Sequence, residues 1–327
     1  MNPVSRKRYY RSLSPLITAE EMARGLELPA LFGRVAPVEL EIGFGNGEFL
    51  NRESLARPER DFLGIEIAWP SVKRALRRLG NPPRKNARLL CLPAWPALSR
   101  TIPQKSLALV RSLYPVPWPR NEGKRLFSKA FLSLVASRLE DGGSFHMVTD
   151  DPPLAEWALA QSEGSGLALS LKEEGAIQNT KYERKWESSG IESFLHLSGP
   201  KAFHPDIPEP KAPPMKPLYL TGLEPSTYRP KGISGPTSVV FRELVFDGNA
   251  GEGLLNCKVV EDSFVQEFFI RLRRTEKPDV WKLYPALSER VFPTEGVQLA
   301  LRLAALEDVS VPEAGGSGPG GPGDHAS

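Results

Sequence analysis

The sequence predicts an α/β fold, a seven-strand parallel sheet with helices on its faces, followed by a smaller α+β module. Three observations carry this. From Val38 to Leu197 short apolar runs alternate with helix-periodic segments. A glycine-punctuated turn, Gly43-Phe44-Gly45-Asn46-Gly47, joins the first run to the first helix. Beyond a proline-rich stretch, strand-like runs follow one another with no helix between them.

The elements fall in order. Arg6 to Arg11 holds four cations and two tyrosines with no acid. It serves either as a solubilising tail or as an arm that neutralises phosphates and offers stacking faces. Thr18-Ala19-Glu20-Glu21 has the form of a capping box. Strands are expected at Val38–Ile42, Phe62–Ile67, Ala87–Leu92, Leu107–Leu113, Phe145–Thr149, Leu167–Leu171 and Ser193–Leu197. Helices are expected after Gly47 and over Ser71–Leu79, Lys124–Leu139 and Leu154–Gln161. Nine prolines between Lys201 and Pro236 exclude a helix or a central strand, so that stretch is expected to be a linker. The module over residues 237–312 reads as strands at Ser238–Phe246, Leu254–Val260, Phe268–Leu272 and Trp281–Tyr284, then a helix through Leu299, Leu303 and Leu306. It clusters Arg271, Arg273, Arg274 and Lys277. Residues 313–327 have the Gly/Pro/Ser composition of a disordered tail.

Composition is that of an ordinary globular protein: 327 residues, 40% hydrophobic, 25% charged, formal net charge +3. That charge is too small to name a partner, so its local clustering carries the information. Cys91 and Cys257 stand far apart and in no metal-ligand spacing, which points to a reducing compartment and no metal site. No apolar run is long enough to span a membrane, and the first residues lack a signal peptide's apolar core. The expectation is a cytoplasmic protein.

Two acids frame the glycine turn. Glu41 ends the first strand, and Glu66 ends the second, where a carboxylate accepts hydrogen bonds from ribose hydroxyls. Glu48 stands where the dinucleotide fingerprint needs its third glycine, so that fingerprint fails. The pattern suits a nucleoside whose partner is a sulfonium; a plain tight turn would give the same glycine spacing.

Tyr114-Pro115-Val116-Pro117-Trp118-Pro119 makes a rigid loop at a strand's carboxyl end, the edge where open α/β sheets bind ligands. Trp118 offers a flat face, and Arg120, Lys124 and Arg125 offer phosphate contacts, a combination suited to an exposed base. A packed proline turn accounts for the same residues. Asp150 ends the fifth strand and Thr180-Lys181-Tyr182-Glu183-Arg184 lies between the last two; a helix cap and a solvated loop are their plainer readings.

Taken together and in this order, LEIGFGNG (40–47), FLGIEI (62–67), YPVPWP (114–119), FHMVTD (145–150) and TKYER (180–184) resemble the bacterial tRNA (guanine-N7-)-methyltransferases. The resemblance runs from about Arg6 to Leu197 and implies a Rossmann-like, seven-strand methyltransferase domain over residues 34–200. It implies that Glu41, Gly43, Gly45, Gly47 and Glu66 hold S-adenosyl-L-methionine. It further implies that Trp118, Arg120, Lys124, Arg125, Asp150, Thr180, Lys181, Tyr182 and Glu183 face a tRNA substrate. Asp150 and Glu183 are then the candidates to grip the guanine edge, where carboxylates accept from N–H groups. Two aspartates usual in that family are replaced, by Pro93 after the third strand and by Val116 inside the proline loop. Those replacements leave room for a member with another RNA substrate or without turnover. A small-molecule methyltransferase is disfavoured by the basic N-terminus and loop.

Overall fold

The computed structural model describes residues 12–80, 84–175, 193–210, 213, 215–261, 264–286 and 291–308. Contacts divide the chain into two compact units, Met1–Pro214 with Leu287–Thr294, and Met215–Ala286 with Glu295–Ser327. The basic segment before Ser12, the TKYER stretch and the tail fall outside the described residues.

In the first unit the elements are α1 (Ala19–Ala23), α2 (Leu28–Phe32), β1 (Val38–Ile42), α3 (Glu48–Ala56), β2 (Asp61–Ile65), α4 (Trp69–Leu79), β3 (Ala87–Leu90), α5 (Ala94–Arg100), β4 (Leu107–Leu113), α6 (Lys129–Arg138), β5 (Leu139–Thr149), α7 (Pro152–Gln161), β6 (Ser170–Gly175) and β7 (Ser193–Pro200). The sheet order is β3-β2-β1-β4-β5-β7-β6. Strands β1 to β5 pair in parallel, and β7 runs antiparallel to both β5 and β6. The chain winds outward from β1 to β3, then returns to place β4 on the other side of β1. The loops after β1 and β4 therefore diverge and leave a crevice at the strands' carboxyl ends.

Burial explains the strands. Every residue of β1 and β2 is buried, the mark of strands covered on both faces. One layer holds Phe44, Leu50, Phe62, Val72, Ala75, Leu76 and Leu79 in a single cluster. The capping box forms: the Thr18 hydroxyl accepts from Glu21 N at 3.2 Å, and Glu21 Oε2 accepts from Thr18 N at 2.7 Å.

Several boundaries differ from expectation. The helix expected over Lys124–Leu139 is a short 3₁₀ turn, Glu122–Lys124, followed by α6, which Ser128 caps at Phe131 N. The fifth strand begins at Leu139, with a register shift opposite Leu107–Leu109 that accommodates Gly142 at φ 87°. The sixth is Ser170–Gly175 rather than Leu167–Leu171; Leu167 makes only an isolated bridge to Lys201. Helices α2 and α5 were not among the expected elements. Pro29 and Pro96 sit in the first turn, where the missing N–H costs nothing.

The second unit is a five-stranded antiparallel sheet, ordered β8 (Leu218–Thr221), β12 (Val280–Pro285), β11 (Phe264–Arg274), β10 (Glu252–Glu261) and β9 (Thr237–Asp247), with α8 (Glu295–Ala304) on one face. Strand β8 lies inside the proline-rich stretch expected to be a linker. It is an edge strand, where neighbouring prolines are tolerated. The start of that stretch packs on the first unit: Arg138 Nη1 meets Glu209 at 2.8 Å, and Gln104 donates to Ile207 O at 3.0 Å. Helix α8 is tied at both ends, Gly296 N donating to Glu261 Oε2 and Tyr228 Oη to Ala304 O, each at 2.5 Å.

Candidate active site

The crevice between β1 and β4 is a cleft of about 470 Å³. Glu41, Gly43 and Gly45 form one wall, Leu113 and Tyr114 another, and Ser71 with Arg74 a third. Its floor follows from the turn after β1. Gly43 and Gly45 hold φ of 77° and 55°, and a Cβ on either would meet nothing within 4 Å. The backbone is thus bare toward the cleft, open to close approach by a ligand. Gly47 has a different task. At φ 72° its missing Cβ lets α3 rest on α4, since one there would stand 2.5 Å from Ala75 Cβ.

Glu66 organises the turn from β2. Its Oε2 accepts from Gly45 N at 3.0 Å and its Oε1 from Ala68 N at 2.9 Å. Each carboxylate oxygen keeps lone-pair capacity for a further donor.

Glu41 is 5% exposed and its Oε2 is buried without a hydrogen-bond partner. Burial pushes its carboxyl up to about 8, against the pull of Arg111 and Arg52. Arg111 is committed elsewhere: its Nη1 lies 3.6 Å from Glu39 Oε2, and its guanidinium stands 4.7 Å from the Phe49 ring centroid. Glu39 also takes Arg57 through two hydrogen bonds of 2.5 and 2.8 Å. The neighbouring carboxylate is saturated with cations while Glu41 is left short of donors. Farther along the same layer, His146 Nε2 and His196 Nδ1 are 3.0 Å apart, and burial beside Arg111 lowers His146 to about 4.

The proline loop leaves the end of β4 through Tyr114, whose N–H donates to Val148 O at 2.8 Å. Tyr114 and Trp118 hold positive φ, 55° and 47°, an uncommon backbone for bulky residues. Trp118 is 41% exposed, and Lys124 Nζ sits 4.8 Å from its ring centroid. Arg120 is exposed. Arg125, expected to contact phosphate, turns inward instead. It is 8% exposed, donates to Pro117 O and Glu122 Oε1 at 3.0 Å each, and packs 5.3 Å from the Trp157 ring. Its place makes it the brace of the loop. Val116 is 63% exposed. Asp150 is exposed at the end of β5, while its neighbour Asp151 caps α7 through Leu154 N at 2.7 Å.

The fold therefore gathers Glu41, Gly43, Gly45 and Glu66 around one turn, and carries Trp118, Lys124 and Asp150 on the same edge of the sheet. Thr180, Lys181, Tyr182 and Glu183 lie outside the described residues. Ser71 and Arg74 were not among the residues expected to hold the cofactor. Their i, i+3 spacing on a basic helix was the available signal, and Arg74 Nη2 now bonds Ser71 Oγ at 3.0 Å in the cleft wall. Arg111 was detectable as a lone cation inside an apolar run.

S-adenosylmethionine fits the donor set. An unpaired buried carboxylate oxygen suits a cationic group, Glu66 has capacity for hydroxyls, and the glycine floor admits close contact. Among the described residues no three His, Cys, Asp or Glu side chains gather to hold a metal ion, and no helix is long and apolar enough to cross a membrane.

Residues 35–195 match the family model Methyltransf_4, a methyltransferase family. The chain is 40% identical over 188 residues to the tRNA (guanine-N(7)-)-methyltransferase of Sodalis glossinidius (strain morsitans), covering 55% of this chain and 79% of that one. It is 42% identical over 166 residues to the enzyme of the same name from Photorhabdus laumondii subsp. laumondii, covering 50% and 70%.

Proposed function

This chain belongs to the tRNA (guanine-N(7)-)-methyltransferase family, and we propose that it transfers a methyl group from S-adenosylmethionine to N7 of a guanine in tRNA. The observation that carries the reading is the cleft at the β1/β4 crevice, where Glu41 keeps a buried, unpartnered oxygen above a bare glycine turn.

Glu41 would meet the cationic part of the cofactor and Glu66 its ribose hydroxyls, with Gly43 and Gly45 beneath. When bound, the cofactor supplies an electrophilic methyl on a sulfonium. Guanine N7 carries a lone pair and no proton, so no general base is needed before attack. The chain's contribution is then to align two reactants and accommodate positive charge on the purine. Asp150 and Glu183 would accept from the guanine N–H edge. Trp118 and Arg120 would shape the entrance, Lys124 would add charge beside the Trp118 ring, and Arg125 would hold the loop in place. Thr180, Lys181 and Tyr182 would complete the substrate side.

The test is methylation of tRNA lacking this modification, with the product nucleoside identified. Asp150→Asn should lower turnover about a hundredfold, with cofactor affinity retained. A variant as fast as wild type would remove Asp150 from the guanine site.

A further inference from the structure

The sheet of the second unit has two unlike faces. Helix α8 covers one, over Leu255, Cys257, Val259, Ile270, Leu272 and Leu283, all 2% exposed or less. Side chains alternate along each strand, so the intervening residues project from the other face. Register sorts them. Lys282 of β12 pairs with Tyr219 of β8 on one side and Arg273 of β11 on the other. In the next row of the same face Tyr284 pairs with Arg271, and Phe269 follows along β11. Three aromatic rings and three cations thus share a patch three strands wide, about 10 Å across. Tyr219 is 59% and Phe269 39% exposed.

The cations there are poorly neutralised. Arg273 meets one acid, Glu252, at 3.5 Å across two well-exposed side chains. Among the described residues Arg271 and Lys282 form no ion pair, and Arg271 Nε is buried with no hydrogen-bond partner. Lys282 Nζ lies 5.6 Å from the Tyr284 ring centroid. Toward β9 the face also carries Glu267, tied to Arg242 at 2.7 Å, and Asp247, whose Oδ1 accepts from Asn249 N at 2.9 Å and Ala250 N at 3.0 Å.

We infer that this open face binds an unpaired segment of RNA. Tyr219, Tyr284 and Phe269 stack on its bases, and Arg271, Arg273 and Lys282 contact its phosphates. The arrangement answers a polymer whose repeat pairs a planar base with an anion, and an open antiparallel sheet is a proven geometry for such stacking. The alternatives fit less well. A second copy docked by two-fold symmetry would set these cations against themselves. A protein partner would have to bury Lys282 within its contact, where lysine is depleted. The inference rests on the proposed function only in taking tRNA as the physiological RNA.

The experiment uses the full chain, with two probes: unmodified transcribed tRNA, and a short RNA oligonucleotide without secondary structure. Two variants are compared with wild type, Tyr219→Ala/Tyr284→Ala and Arg271→Gln/Arg273→Gln/Lys282→Gln. Both should bind each RNA about tenfold more weakly or worse. The glutamine variant should also flatten the logarithmic salt dependence by roughly two. Melting temperature and S-adenosylmethionine affinity should stay at wild-type values. Should the tyrosine variant fold poorly, the glutamine variant carries the test, since its changes spare the apolar face under α8. Undiminished RNA affinity in folded variants overturns the inference, whatever the methylation activity. So does loss of self-association in the variants with RNA binding intact, which would make the face an interface between copies. A wild-type protein that methylates no guanine yet binds the oligonucleotide through this face would retire the proposed activity and leave this inference standing.

Discussion

Glu41 of β1 and Arg111 of β4 are register partners in neighbouring parallel strands, yet the arginine spends its charge on Glu39. Glu41 keeps an oxygen with no hydrogen-bond partner and is held protonated up to about pH 8 by burial.

A proton count follows. Between the ordinary carboxylate value of 4.5 and about 8, Glu41 is protonated when folded and ionised when unfolded. The ligand-free protein therefore loses stability as pH rises through that window, and Glu41→Gln removes this component. A cationic cofactor favours the ionised form, so its affinity should rise with pH up to about 8 and its binding at pH 7 should release up to one proton. Calorimetry in buffers of different ionisation enthalpy reads this directly. Identical heats in all buffers would mean that Glu41 gives up no proton on binding.

Glu66 braces the turn beneath the cleft through the Gly45 and Ala68 amides. Glu66→Ala should weaken S-adenosylmethionine binding by more than about tenfold, ~1.4 kcal/mol, through lost charged hydrogen bonds. Equal affinity in mutant and wild type would take Glu66 out of the cofactor site.

Gly47→Ala should destabilise the first unit by about 2 kcal/mol or more, combining left-handed strain with overpacking against Ala75. Chemical denaturation measures it. A shift under about 0.5 kcal/mol would show that α3 and α4 part without cost.

Much of this architecture was legible because the signals were local. Val38–Ile42 and Leu107–Leu113 are short runs in which apolar residues predominate, and their strands fall where the pattern puts them. The glycine turn and Glu66 were legible for the same reason, one motif ending each strand. Arg125 was not. Its sequence neighbours make it one more cation behind Trp118, and only the return of the loop turns it toward Pro117 O and Trp157. Strand β8 was hidden by the prolines around it, since edge position is a property of the whole sheet. The open face of the second unit was visible only in part: the arginine cluster stands out in sequence, but the tyrosines join it through cross-strand register.

Val116 stands 63% exposed between two prolines that fix its backbone. A valine cannot steady developing positive charge. Val116→Asp should raise methylation of tRNA and leave tRNA affinity nearly unchanged, since one electrostatic contact is worth about a hundredfold in turnover. A slower, well-folded mutant would mean that the loop has been rebuilt around the valine.

The central claim is that this cleft methylates guanine N7 in tRNA. The most direct measurement is incubation of the full chain with S-adenosylmethionine and tRNA lacking the modification, followed by nuclease digestion and mass spectrometry of the nucleosides. The account predicts 7-methylguanosine, formed in proportion to enzyme and lost in Glu41→Gln/Glu66→Ala. Methylation of another nucleoside, or none in a protein that binds both S-adenosylmethionine and tRNA, would contradict it.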